Sequence, residues 1–190
     1  MVEQRTRSSN LSSSTIPPKP IEMNLDGLRN MVWVETTQGN FKIRLRPDWA
    51  DNHTRQIRKL VHEGFYNGLT FHRVLDGFMA QTGCPRGDGT GTCGYLINEE
   101  FNDTDHVEGI CSMARGQDPN SASSQWFIVT SHSPHLNKQY TAWGQVIEGM
   151  DVVHKLKKGN PQDNGKVEKP DRITRMYMAD GNNLIGSIIR

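Results

Sequence analysis

The chain has 190 residues, 22 of them basic and 21 acidic, for a formal net charge of +1. That length suffices for one domain with a full core, and so even a charge gives nothing to draw the protein to nucleic acid or to an anionic membrane surface. No apolar run is long enough to cross a bilayer, and 3 cysteines at irregular spacing argue against a disulfide framework and for a reducing, cytoplasmic setting.

Met1 to Pro20 is Ser-rich and ends in Pro17-Pro18-Lys19-Pro20, so residues 1–29 are expected to be a disordered or extended tail rather than a secretory signal. The folded unit is expected over residues 30–180. Val32 to Thr36 and Phe41 to Leu45 are β-branched and aromatic runs joined by Thr37-Gln38-Gly39-Asn40, a hairpin signal. A helix is expected from about Ala50 to Glu63, because Ile57, Leu60 and Val61 recur at helical spacing and Gly64 is a fitting stop.

Phe71 to Gln81 then carries one guanidinium, one side-chain amide and several large apolar groups around Asp76-Gly77, a dipeptide suited to a tight turn. A strand–turn–strand course here places Arg73 beside an apolar floor of Phe78 and Met79. Arginine keeps its proton, so Arg73 suits hydrogen-bond donation to a ligand rather than acid–base work, with Gln81 placed to hold its fork.

Gly89-Thr90-Gly91-Thr92-Cys93-Gly94 matches a dinucleotide-binding pattern, but no buried strand leads in and no helix follows, so its glycines are read as turns. Cys84 and Cys93 flank this loop and could form a redox-sensitive pair, whereas Cys111 reads as core. Ile110 to Ala114, Gln125 to Thr130, Thr141 to Val146 and Ile173 to Ala179 read as strands, and Met150 to Lys157 as a short helix. Residues 181–190 are expected to be a C-terminal tail. Many short strands with two helices suggest an antiparallel barrel or sandwich, and periodicity does not choose between them.

The 7 histidines lack the spacing of a zinc site, no GxSxG elbow occurs, and no pair of carboxylates stands out. Neither a metal nor another cofactor is expected. An enzyme built from these residues would have to work without proton transfer or a covalent intermediate.

Three stretches in order, FHRVLDGFMAQTG from Phe71, SMARGQDPNSASSQWFIV from Ser112 and LNKQYTAWGQVIEGMDVV from Leu136, resemble the signature blocks of the cyclophilins. The likeness covers about Met31 to Leu156 and is nearest to the bacterial cytosolic branch. It implies a mainly β fold, a closed eight-stranded antiparallel barrel capped by two α-helices, and peptidyl-prolyl cis-trans isomerase activity assisting protein folding. By motif position it implies Arg73 as donor to the prolyl nitrogen or neighbouring carbonyl, with Gln81 and Phe78 beside it. Met79, Phe127 and Leu136 complete the proline pocket. Ala114 and the Arg115 backbone would line the groove for the preceding residue, with Gln125 as its floor and Gly89 at an adjoining shallow pocket.

Four positions depart from the pattern common in the family. Arg115 stands where many members have Asn, Tyr140 where many have His, and Trp126 where Phe is usual. His135 replaces the Trp of cyclosporin-sensitive members, which implies weakened cyclosporin binding. The implied partners are proline-containing peptides and unfolded or folding proteins, met by a monomer with no nucleic acid or membrane partner. A proline-peptide binding module without turnover would use the same groove. The presence of Arg73 favours the enzyme.

Overall fold

The computed structural model describes residues 25–180, and the expected tails before and after lie outside it apart from residues 25–29, which form a short helix α1 (Leu25–Arg29) where tail was expected. Eight strands follow: β1 (Met31–Thr36), β2 (Gly39–Leu45), β3 (Arg73–Leu75), β4 (Met79–Thr82), β5 (Ile110–Met113), β6 (Trp126–Val129), β7 (Ala142–Glu148) and β8 (Ile173–Met178). Helix α2 (Asp51–His62) lies between β2 and β3, and α3 (Met150–Lys155) between β7 and β8. No helix among the described residues is long and apolar enough to cross a membrane.

All strands belong to one antiparallel sheet in the order β3-β4-β6-β5-β7-β2-β1-β8. The sheet curls, but β3 and β8 are not joined by a strand ladder, so the closed barrel expected from the resemblance is here an open, curled sheet. The gap is spanned by backbone hydrogen bonds in which at least one partner lies in a loop. Ile173 N–H donates to Leu69 O (2.8 Å) and Phe71 N–H to Asp171 O (2.9 Å). The 159–167 loop lies along the outer edge of β3, giving Gly159 N–H to Val74 O (2.8 Å) and receiving Val74 N–H at Gly165 O (2.9 Å). These bonds occupy an edge that would otherwise template pairing with another chain.

Period-two alternation explains β1 and β2, whose Val32, Val34, Phe41, Ile43 and Leu45 point into the core. Trp126 and Trp143 sit at its centre with rings edge-to-face at 5.5 Å, and Tyr66 packs edge-on against Trp126. α2 buries Ile57, Leu60 and Val61, as its spacing predicts. Its N-terminus has no capping side chain of its own. Glu100, from the long loop before β5, accepts the N–H groups of Asn52 and His53 and the His53 Nδ1, placing a carboxylate at the positive end of the helix.

A second long-range carboxylate pins the β1–β2 hairpin. Asp171 is buried and accepts from Thr37 Oγ1 (2.7 Å), Gln38 Nε2 (3.0 Å) and Lys157 N–H (2.8 Å). Burial works to raise its pKa, but the Lys157 amide and the two side-chain donors outweigh burial and hold it below the usual carboxylate value. A depressed folded value stabilises fully above the unfolded pKa of about 3.9 and is lost as pH falls through the folded value. Asp171→Asn is expected to lower stability by about 2 kcal/mol, or roughly 4–8 °C in Tm. Thermal melts should show the full gap at neutral pH and a closing gap below roughly pH 4.

Candidate active site

β3 and β4 form the expected hairpin, turning through Asp76 and Gly77, the latter at φ 68°, a left-handed backbone that glycine adopts without strain. The register pairs Arg73 with Gln81, and β4–β6 pairing sets Gln81 opposite Phe127. Residues directly opposite in an antiparallel pair share a face, so these three side chains form a row across three strands. A second row, Leu75, Met79 and Val129, lies two residues along on the same face. Val74, Ala80 and Ile128 alternate to the other face and join the main core.

The sheet is therefore buried on both sides at this end. On the outer face, Met79, Ile110, Phe127, Val129, Leu136 and Ala142 form a separate apolar cluster, with Phe78, Ala114 and Tyr140 packed at its margin. A cavity of about 950 Å³ opens over it, floored by Met79, Phe127 and Leu136 and walled by Phe78, His135 and Tyr140. Phe78 packs against the exposed His135 ring at 5.3 Å, and Tyr140 meets Phe127 edge-on at 5.7 Å.

Arg73 enters this cavity from the polar side. Its Nη1 donates to Gln81 Oε1 (3.1 Å), its Nη2 to Asn164 Oδ1 (2.9 Å) and its Nε to the Asn164 carbonyl (2.9 Å). Of the five guanidinium N–H donors, three are thus committed and two remain, one on each terminal nitrogen. No ion pair engages Arg73 among the described residues. Partial burial pulls its pKa below the ordinary arginine value, and it stays charged at any physiological pH.

Gln81 links Arg73 to a second amide, its Nε2 donating to Gln125 Oε1 (3.0 Å). Gln125 in turn donates to Gly89 O and Gly91 O, both at 2.9 Å. The chain Arg73–Gln81–Gln125 fixes each amide's orientation, since each has a carbonyl receiving and an NH2 giving. Gln125 does not reach the large cavity. It lines a smaller, adjoining one of about 210 Å³ that shares Gln81, Gly89, Thr90, Ala114 and Arg115 with the first. The residues named from sequence thus converge on two connected cavities, with Gln125 belonging to the smaller.

The pocket wall is braced from beneath. Leu136 and His135 ride on a 3-10 turn (Pro134–Leu136), and the buried His106 pairs through Nδ1 with Asn137 Oδ1 and through Nε2 with Ser112 Oγ, each at 2.9 Å. Asn137 also gives its amide to Asp105.

Several lining residues were not anticipated. His72, Asp163, Asn164, Lys166 and Val167 all face the large cavity, and Asn164 holds Arg73 at two points. It sits at φ 49°, and the loop delivering it closes tightly. A Cβ on Gly159 would fall 1.8 Å from Gly165 O. Asn164-Gly165 is a dipeptide that accepts left-handed backbone, and that was the available signal. Nothing in sequence tied it to a residue 91 positions away.

The three cysteines are free. Cys84 Sγ receives the Gly89 and Gly91 N–H groups, while Cys93 Sγ contacts Gln56 and Ser123. The two thiols have separate partners and no disulfide joins them.

Residues 31–178 match the sequence profile of the family described as cyclophilin type peptidyl-prolyl cis-trans isomerase/CLD. A probable peptidyl-prolyl cis-trans isomerase of Brucella suis is 46% identical over 158 residues, covering 77% of this chain and 81% of its own. Peptidyl-prolyl cis-trans isomerase B of Bacillus subtilis is 42% identical over 130 residues, covering 67% and 90%. Among solved structures, a cyclophilin from Hirschia baltica superposes with a TM-score of 0.71 at 30% identity, covering 80% of this chain and 74% of the other. A cyclophilin type isomerase from Cryptosporidium parvum, crystallised in the presence of the dipeptide Ala-Pro, has a TM-score of 0.71 at 26% identity, covering 78% and 98%. Eight antiparallel strands in this order, a cavity with an apolar floor and Arg73 at its edge, and these relatives agree: the chain belongs to the cyclophilin-type peptidyl-prolyl cis-trans isomerases.

Proposed function

We propose that the large cavity grips a proline ring while Arg73 acts on the imide bond before it. Rotation about that bond faces a barrier of roughly 18–20 kcal/mol because the nitrogen lone pair is delocalised into the carbonyl. A donor directed at the prolyl nitrogen draws the lone pair back and weakens the partial double bond. The interaction exists only when the nitrogen is pyramidal, so it lowers the twisted state selectively and raises turnover rather than mere affinity. Each 1.36 kcal/mol or so of such selective stabilisation accelerates rotation about tenfold.

One observation carries this reading. Arg73 is held by the Gln81 amide, the Asn164 amide and a backbone carbonyl, all neutral, and keeps two N–H donors at the edge of a cavity with an apolar floor. A carboxylate partner would spend the charge internally. Neutral acceptors orient it and leave its field intact, in a partly dry site where fixed dipoles act strongly. Phe78, Met79, Phe127 and Leu136 hold the ring by apolar contact, and Ala114 with Arg115 and Gln125 lines the path of the residues before it. Gln81 positions Arg73. The substrates are proline-containing peptides and folding chains with accessible Xaa-Pro bonds. The Ala-Pro dipeptide used with the Cryptosporidium relative supports this class. A protease-coupled assay on an Xaa-Pro peptide should show saturable acceleration by the protein. Absence of acceleration would reject the function.

Asn164 separates positioning from chemistry. Asn164→Ala removes the side-chain acceptor and strains a left-handed backbone, whereas Asn164→Gly removes only the acceptor. The alanine variant should lose both stability and turnover. The glycine variant should keep its Tm within about 2 °C and lose roughly three- to tenfold in kcat with KM little changed. A drop in KM-limited binding alone would contradict the positioning role.

At the rim, the imidazole of His135 packs at a tilt against Phe78, where an indole would add apolar area. Cyclosporin inhibition should accordingly be weak, and His135→Trp should tighten it by about tenfold in an inhibition titration.

A further inference from the structure

The smaller cavity is lined by one charged side chain and no carboxylate, the nearest acid across the shared rim being Asp88, which lines the large cavity and accepts from Thr90. The smaller cavity is lined by Gln81, the Gly89–Thr92 backbone, Ala114, Gly116, Ser121, Ser123, Gln125 and Arg115, and among these residues there is no carboxylate and one cation. Arg115 also borders the large cavity, so its guanidinium stands where the two meet. It is held rigidly. Nε and Nη2 both donate to Gln139 O (3.0 and 2.8 Å), Nη1 donates to Gly116 O and Gln117 O (2.8 and 3.1 Å), and the group lies over the Tyr140 ring at 4.8 Å. Four of its five N–H groups are committed to carbonyls, which orient the plane and carry no formal charge. One N–H on Nη2 remains. No ion pair engages Arg115 among the described residues.

We infer that Arg115 makes the enzyme selective for an acidic side chain one or two residues before the proline, an inference that rests on the proline-pocket reading above. With the ring over Met79 and Phe127, an extended chain advances about 3.3–3.6 Å per residue and brings those two residues past Ala114 and Arg115 into the smaller cavity. A guanidinium already immobilised gives up little entropy when it meets a carboxylate, and its remaining Nη2 N–H can make one charge-assisted hydrogen bond to that group. The surrounding Thr, Ser and Gln side chains are neutral and tolerate the charge. A basic residue there would be repelled.

The test compares isomerisation of Ala-Glu-Ala-Pro-Phe with Ala-Gln-Ala-Pro-Phe, and of Ala-Ala-Glu-Pro-Phe with Ala-Ala-Gln-Pro-Phe, by wild type, Arg115→Lys and Arg115→Gln. Wild type should favour the Glu peptide of at least one pair by about threefold in kcat/KM, on the order of 0.6 kcal/mol, and added salt should erode that ratio. Arg115→Lys should retain the preference and Arg115→Gln should lose it. Because the readout is a ratio within each protein, a general loss of activity does not imitate the result. Ratios of one in both wild-type pairs, or a preference that survives Arg115→Gln, would overturn the inference while leaving the pocket reading intact. Should the glutamine variant fail to fold, the wild-type ratio and its salt dependence decide. Failure of wild type to turn over any of the four peptides would overturn both.

Discussion

Arg73→Ala is expected to reduce kcat/KM for Xaa-Pro isomerisation by about a hundredfold while the protein melts within about 3 °C of wild type. The two halves of that result come from the same geometry. The guanidinium contacts Gln81 and Asn164 at the edge of a solvent-open cavity rather than the apolar core, so truncation leaves water-accessible acceptors and no internal void. What disappears is the guanidinium whose two uncommitted donors sit beside the cup formed by Phe78, Met79, Phe127 and Leu136. Arg73→Lys keeps the charge but cannot bond Gln81 and both Asn164 acceptors with one flexible ammonium. It should recover only part of the loss, remaining roughly tenfold below wild type in the same coupled assay.

Phe127→Ala should behave in the opposite manner, with stability and binding falling together. Phe127 is 5% exposed, touches the row of Gln81 and Ser112 through its strand pairings, and packs edge-on against Tyr140. It is both the floor of the cavity and part of the outer apolar cluster. Removing a buried phenyl ring typically destabilises by about 3–5 kcal/mol, which for a domain of this size lowers Tm by roughly 6–20 °C. At a temperature where the variant is still folded, the proposed pocket predicts a strong rise in KM, because a proline ring seated there would lose its floor. Differential scanning calorimetry and a KM-against-kcat comparison check the two parts separately. A variant with normal stability and raised KM would mean that Phe127 lines the cavity without supporting it.

Much of this was legible in the chain, and the limits have physical causes. The β1–β2 hairpin, α2 and the Arg73–Gln81 turn follow from alternation, helical spacing and an Asp-Gly pair, all local signals. Trp126-Phe127-Ile128-Val129 was readable as a strand but not by face, because an apolar run buried on both sides carries no alternation. Only the register shows that Trp126 and Ile128 belong to the main core and Phe127 and Val129 to the outer cluster. The convergence of Arg73, Phe127 and Leu136 rested on resemblance to a family, since residues so far apart in sequence share no spacing. Asn164 and the Asp171 anchor were out of reach for the same reason: Asn164 works through a contact across 91 positions and Asp171 through contacts across 133 and 134. The short α1 was hidden by a Ser- and Pro-rich approach that weighs toward extended chain. The expected closed barrel fails at one place, between β3 and β8, where loop backbone rather than a ladder spans the edges.

The most direct test is NMR exchange spectroscopy on an isotopically labelled Xaa-Pro peptide with substoichiometric protein, which reads binding and cis–trans interconversion in one sample. Wild type should show strong cross-peaks between the cis and trans resonances, and Arg73→Ala should shift and broaden the peptide signals on binding yet show exchange near the uncatalysed rate. Interconversion by Arg73→Ala as fast as that by wild type would contradict the assignment of catalysis to this guanidinium.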